Sequence, residues 1–253
     1  MSVLIGHASI DERGKIASGK AGDQTKREVC TRTYYNMGYN VVLRPKKDRV
    51  AKASVKACKQ GCANNHIGYD QYQRNTLYTQ ASKVGFDLSK VKVDCETDCS
   101  AFMTACAIAG GVSALKYSGN APTTSTMRKA FVNSGAYTAL TDSKYLTSDK
   151  YLKAGDICVK EGSHTFMILE NGSAIKGKSG AVSTTTKNNS KYYNKYTGNS
   201  KSFSDALYSM GIDGSKDHRK KIAIKNGIKK YEGSTAQNTK LFNLLKSGKL
   251  LKA

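Results

Sequence analysis

The sequence predicts an α+β fold, with helices packed on an antiparallel sheet, followed by a small all-helical C-terminal module. Three observations carry this. Apolar residues recur at helical spacing as far as Gly135, two β-type segments and a hairpin signal come next, and helical periodicity returns after a polar stretch ending at Ser202.

In order along the chain, Gly14, Gly19 and Gly22 punctuate a segment leading to strand-like Glu28-Val29-Cys30-Thr31-Arg32 and Asn40-Val41-Val42-Leu43-Arg44, so loops and short strands are expected up to residue 50. Between Lys46 and Cys62, Val50, Ala53, Val55, Ala57 and Cys58 are spaced as one face of a helix, and Tyr69 to Val84 reads as another. The run Ala101 to Ala109 is apolar on nearly every face and stops at Gly110-Gly111, which marks a buried helix with a glycine stop. Thr124 to Ser134 is a further short helix ended by Gly135. Asp156 to Val159 and Thr165 to Leu169 are β segments, and Asn171-Gly172 is the signal of a two-residue hairpin turn into a strand over Ser173 to Lys176. The predicted order is thus helices first, then sheet.

From Gly177 to Ser202 the composition turns to Lys, Ser, Thr, Asn, Gly and Tyr, as strands fading into a linker would show. Phe203, Leu207, Met210, Ile212, Ile222, Ala223, Ile224, Ile228, Leu241, Leu244 and Leu245 then mark a helical module of about 50 residues, a size of marginal stability alone. The expected division is a domain over 1–180, a linker over 181–202 and a module over 203–253.

The 253 residues carry 41 Lys+Arg against 19 Asp+Glu, a formal net charge of +22, so a polyanionic partner is expected: nucleic acid, an anionic membrane surface or the teichoic acids of a cell wall. Lysine outnumbers arginine, whereas base-edge reading favours the arginine fork, which turns the expectation away from specific DNA binding. The longest mostly apolar run, Ala101 to Leu115, is shorter than the roughly 18 residues a span needs, so no membrane insertion is expected. The N-terminal segment has neither a basic leader nor a long apolar stretch, which predicts synthesis in the cytoplasm without a signal peptide. Seven cysteines lack the dense spacing of a stapled scaffold and read mostly as reduced and buried.

Two segments carry chemistry. Asp98-Cys99-Ser100 opens the buried helix, where unpaired N–H groups and the helix dipole favour a thiolate. Asp98 and Ser100 are good residues for a helix start. His164 heads a β segment after a glycine-containing turn and is placed to serve as general base. Cys95, also preceded by an aspartate, is the rival nucleophile; it should lie on the loop approaching the helix rather than at its start.

Asp98-Cys99-Ser100 and Gly155-Asp156-Ile157 with His164-Thr165, in this order, resemble the NlpC/P60 and CHAP-type cysteine peptidases and amidases that cut peptidoglycan. The segment Gly6-His7-Ala8-Ser9 through Asp11-Glu12, Gly22-Asp23-Gln24-Thr25 and Glu28-Val29, with Ile67-Gly68-Tyr69-Asp70-Gln71, is further similar to phage endolysins and prophage amidohydrolases of this type. The resemblance implies a papain-like catalytic domain with Cys99 as nucleophile and His164 as base. It also implies substrate contacts from Tyr69, Asp70, Asp98 and Ser100, no cofactor, peptidoglycan and anionic wall polymers as partners, and action at the wall after release. The bond cut is either inside the stem peptide, as by an endopeptidase, or the N-acetylmuramoyl-L-alanine amide.

The family usually places a third polar residue on the strand beside the histidine. Glu170 does not fit, since six residues along a strand put it roughly 20 Å from His164. A tight turn at Asn171-Gly172 would bring Ser179 opposite, so this role has no assigned residue. Of the other histidines, His7 and His218 read as solvated or structural. A zinc site on Cys58, Cys62, Cys95, Cys99 and His66 is disfavoured, because both cysteine pairs are spaced by three residues where structural knuckles use two.

A non-enzymatic alternative is a basic nucleic-acid-binding protein, prompted by the charge and by Lys191-Tyr192-Tyr193-Asn194-Lys195-Tyr196, where aromatics alternate with cations. The basic C-terminal module, with a faint likeness to LysM at Ile222-Ala223 and Asn226-Gly227-Ile228, is expected to bind the wall.

Overall fold

The computed structural model describes residues 2–176, 191–200, 202–210 and 212–253. They divide into two units, Met1–Gly180 and Ala181–Ala253.

The first unit is α+β and is built on a six-stranded antiparallel sheet. Its strands are β1 (Leu4–Ala8), β2 (Val29–Thr33), β3 (Val41–Pro45), β6 (Tyr137–Leu140), β7 (Ile157–Lys160) and β8 (His164–Ile168), in the order β2-β1-β8-β7-β3-β6. A parallel pair, β4 (Ile67–Tyr69) and β5 (Cys95–Thr97), stands apart from it. Helices α1 (Asp48–Cys62), α3 (Cys99–Ala109) and α4 (Met127–Asn133) follow the predicted segments to within a few residues, whereas α2 (Thr76–Lys83) is half the length expected, because Tyr69 ends β4 and Asp70 turns the chain by accepting from the N–H groups of Tyr72 and Gln73. Both α5 (Ser143–Leu146) and α6 (Ser173–Lys176) are single turns.

Strand alternation sorts the side chains onto two faces. Val41, Leu43, Ile157, Val159 and Met167 join Phe102, Met103 and Cys106 of α3 in one core, while Val42, Cys158, Phe166 and Ile168 join Ile5, Tyr39 and Leu152 in another. Helix α3 is buried along nearly its whole length. It lies so close to α1 that a Cβ on Gly61 would come 2.5 Å from the Phe102 ring.

Two expectations are corrected. The sheet does not follow the helices, because half of it comes from residues 4–45, and β1 is inserted between β2 and β8. Asn171-Gly172 does not turn the chain into a further strand; Ser173–Lys176 is helical. Gly172 instead presses on the 3₁₀ turn Asp149–Tyr151 and donates its N–H to Leu152 O at 2.8 Å, and Asn171 Oδ1 accepts from Ala154 N at 2.9 Å. The remainder of that expected strand, with Ser179, lies outside the described residues.

Residues 9–28 are held largely by carboxylates on backbone N–H groups. Asp23 accepts from Thr25, Arg27 and Val29, Glu28 from Gln24 and Tyr69, Asp70 from Ser18, Tyr72 and Gln73, and Glu96 from Gly22.

The second unit gathers Tyr196, Phe203, Leu207, Ile222, Ala223, Tyr231, Leu241, Leu245 and Leu250 around helices α7 (Phe203–Ser209), α8 (Lys216–Lys225) and α9 (Thr235–Lys246). Ser215 caps α8, and Ser234 with Gln237 forms a capping box on α9. Residues 191–200, expected in the linker, contribute Tyr196 to this core and a bridge between Tyr192 and Leu251; the segment 181–190 lies outside the described residues. Among the described residues no helix is long and apolar enough to cross a membrane.

Candidate active site

Cys99 is the first residue of α3, and Asp98 is its N-cap, accepting from Ala101 N at 2.7 Å. The cap is itself clamped. Arg74 donates to both Asp98 oxygens, at 2.6 and 3.2 Å, to Ser100 Oγ at 2.7 Å and to the carbonyls of Ala121 and Pro122. Ser100 Oγ in turn donates to Asp98. The polar groups of Asp98 and Ser100, expected to touch substrate, thus hold the start of the helix. Arg74 was not evident in the sequence, where a lone arginine ahead of a helix carries no local signal.

His164 opens β8. Its strand is fixed by β7, which Asp156 anchors: the carboxylate takes two hydrogen bonds from Arg44 of β3, at 2.8 and 2.6 Å, and one from Lys153 N at 2.7 Å. Gly155, at φ +94°, passes so close to Ala51 that a Cβ would meet it at 2.7 Å. The Gly-Asp pair ahead of the histidine is therefore a structural anchor. The Thr165 N–H lies against the Cys99 thiol, which brings the head of β8 to the start of α3.

The residue beside the histidine comes from the other end of the unit. On its second side β8 pairs with β1, Ile5 opposite Ile168 and Gly6 opposite Met167. His7 follows on β1, and its ring meets that of His164 edge to face, centroids 5.9 Å apart. His7 is 2% exposed, not solvated. Its Nε2 is 3.5 Å from Cys30 Sγ, while His7 Nδ1 and His164 Nε2 are both buried without a protein partner. Two adjacent imidazoles each keep one nitrogen unsatisfied, a costly arrangement in a protein interior.

Burial dominates the proton affinities. It holds His7 down at about 3, helped by His164 and Arg32, and His164 at about 4, against the opposing pull of Asp98. The Cys99 thiol, 4% exposed, is pushed up to about 12 by burial and then by the Asp98 charge, against the N–H groups of Thr165 and Ser100. The expected acidification by the helix start is outweighed, because desolvation costs a buried thiolate more than one turn of dipole returns. The resting pair is a neutral thiol and a neutral imidazole.

Cys95 lies on β5 rather than on a loop, and its thiol points at the His66 carbonyl oxygen, 3.4 Å away. Burial, then the charges of Glu96 and Asp94, push it up to about 12. Tyr69 is buried on β4, with Gln71 Nε2 on its hydroxyl at 3.1 Å, and burial and then Cys99 make its phenol harder to ionise. Asp70 is fully engaged by backbone N–H groups. Glu170 is exposed past the end of β8. His66 bonds Asp94 at 2.7 Å, and His218 lies 3.3 Å from the Tyr193 hydroxyl in the second unit. Among the described residues no group of three or more His, Cys, Asp or Glu is arranged to hold a metal ion.

A cavity of about 730 Å³ opens beside His7, lined also by Cys30, Arg32, Arg27, Asp11 and Glu12 among others. Another, of about 820 Å³, runs along α1 and is lined by Lys52, Lys56, Lys59 and Lys92.

No curated protein and no solved structure matches this chain. The family model of an endolysin-like domain matches residues 5–175, from β1 through α6, a span that contains Cys99, His164 and His7. That family points to a cell-wall hydrolase of phage type with peptidoglycan as substrate, acting on the wall after release. The chain belongs to the endolysin-like domain family.

Proposed function

We propose that the first unit hydrolyses an amide bond of the peptidoglycan stem peptide by a thiol mechanism, with Cys99 as nucleophile, His164 as general base and His7 as the residue that orients His164. The observation that carries this reading is the edge contact of the two imidazoles, each with an unsatisfied buried nitrogen, on a strand whose Thr165 N–H meets the thiol at the start of α3. A helix-borne cysteine against a strand-borne histidine is also the arrangement of a papain-like NlpC/P60 or CHAP-type enzyme.

In the proposed tautomers His7 Nε2–H donates to Cys30 Sγ and His164 carries its proton on Nε2, which leaves His164 Nδ1 as the base; His7 Nδ1 and His164 Nε2 have no protein partner here and would bond each other only after a turn of the rings. In the proposed cycle the Cys99 thiol gives its proton to His164 Nδ1 as the sulfur attacks the carbonyl carbon. The oxyanion takes hydrogen bonds from the N–H groups of Cys99 and Ser100, since those of Ala101 and Phe102 are already bound by Asp98. The imidazolium protonates the leaving nitrogen as the C–N bond breaks. Water, deprotonated by His164, then cleaves the thioester, and the proton returns to the sulfur. Because the base is neutral above about pH 4, it is ready throughout the neutral range.

Clearing of purified peptidoglycan by the full chain tests these roles. Cys99→Ala is expected to abolish it and Cys95→Ala to retain it, and lysis by Cys99→Ala refutes the assignment. His7→Phe is expected to lower kcat by about 10- to 1000-fold with little change in KM; an unchanged kcat removes His7 from the mechanism.

The basic second unit is proposed to hold the enzyme on the anionic wall. Removing residues 203–253 should weaken sedimentation with cell walls more than turnover of a soluble stem peptide, and equal sedimentation overturns this role.

A further inference from the structure

Arg32, exposed on β2, lines the cavity beside His7 and has no carboxylate partner among the described residues. It lies on β2 opposite Ile5, two residues past Cys30, so Arg32, Cys30 and His7 share one face of the sheet. Its guanidinium stacks on the Tyr35 ring, 4.7 Å from the centroid, and Tyr35 leans on Phe166, 5.5 Å between centroids, two residues along β8 from His164. Stacking fixes the plane of the fork while leaving its N–H edges unused. The charge is felt at both imidazoles, each of which it makes harder to protonate.

Among the described residues no carboxylate pairs with Arg32. The two that line the same cavity are committed elsewhere. Asp11 takes Arg13 at 2.6 Å and the N–H groups of Arg13 and Lys15, and Glu12 lies 3.7 Å from Arg13 and accepts from Lys20 N. A cation laid on Tyr35, without a carboxylate partner and on the same cavity wall as His7, matches a ligand that brings its own negative charge.

We propose that Arg32, held by Tyr35, binds a carboxylate of the stem peptide being cut, so the preferred substrate is an acidic peptide with a free carboxylate close to the scissile amide. This rests on the reading of Cys99 and His164 as an amide-cleaving pair. The fork would take the carboxylate through two N–H groups, and the same peptide with that group amidated would lose both the charge and one acceptor.

The test separates binding from cleavage. Affinity of the full-length Cys99→Ala protein is measured by titration calorimetry for a soluble stem peptide with free carboxylates and for the same peptide with its carboxylates converted to primary amides. The free acid is expected to bind about 10- to 100-fold more tightly, and adding Arg32→Gln should bring the two peptides to within about threefold of each other. Equal affinities for the two peptides, or a preference that survives Arg32→Gln, overturn the proposal. With active protein the same substitution should raise KM for the acid more than it lowers kcat; a fall in kcat alone would make Arg32 an electrostatic neighbour of the histidines and also overturn it. Failure of the Cys99 reading would show instead as cleavage by Cys99→Ala, which leaves the affinity comparison intact.

Discussion

Two buried carboxylates lie two residues apart on the approach to Cys99, and their surroundings differ sharply. On the α3 side, Asp98 meets the Arg74 fork, the Ser100 hydroxyl and the Ala101 N–H. On the β5 side, Glu96 has the Gly22 N–H on one oxygen at 2.8 Å, while its other oxygen is buried without a partner. Burial, together with the charges of Glu28, Asp70 and Glu12, pushes Glu96 up to about 8. A carboxylate with a cation and several donors becomes a fixed bracket for the nucleophile; one with a single donor and acidic neighbours becomes a group that holds its proton into the neutral range.

Three measurements can break or sharpen that contrast. The largest effect is expected for Arg74→Met, which leaves Asp98 buried and unpaired: urea unfolding at neutral pH should show a loss of about 3–5 kcal/mol, with clearing activity falling alongside. A loss below about 1 kcal/mol would mean that the helix cap holds Asp98 without the guanidinium.

Glu96→Gln should act in the opposite direction. The folded state keeps its proton up to about pH 8, whereas the unfolded chain releases it near 4.5, so wild-type stability declines as pH rises between these values and then levels off. The variant, which never ionises, should match wild type near pH 4.5 and exceed it by about 2–4 kcal/mol above pH 8. A margin that does not grow with pH would show Glu96 to be neutralised by other means. The smallest effect is expected for Ser100→Ala, which removes one acceptor from Arg74 and one donor to Asp98; a loss of about 1–2 kcal/mol by the same unfolding measurement would be typical of one buried hydrogen-bonded hydroxyl.

The features legible in the sequence were those written in contiguous residues. Cys99 at a helix start followed from the apolar run behind it and the Asp-Cys-Ser order, and the strand position of His164 from the glycine-containing turn before it and the β segment after it. The residue next to His164 was not legible, because β1 and β8 are joined only by the fold, and nothing in Gly6-His7-Ala8 announces the strand it pairs with. The Asn171-Gly172 signal misled for a related reason. It reports backbone permissiveness, and here that permissiveness serves close contact with the carbonyls of Asp149 and Lys150 rather than a turn. The thiol's acidity was misjudged because a helix start is visible in sequence and burial to 4% exposure is not.

The insertion of β1 between β2 and β8 also bears on how the unit is made. Ile5 and Gly6 find their partners at Ile168 and Met167, so this pairing closes nearly the whole length of the unit as one loop. Contacts of such high sequence separation form slowly and late, after the chain entropy of that loop has been lost. During synthesis the first strand therefore waits for the last, with its edge open to other partners in the meantime. Until the two meet, His7 and His164 are apart. The same ladder that completes the sheet thus acts as a timing device, withholding the proposed site from any unfinished chain.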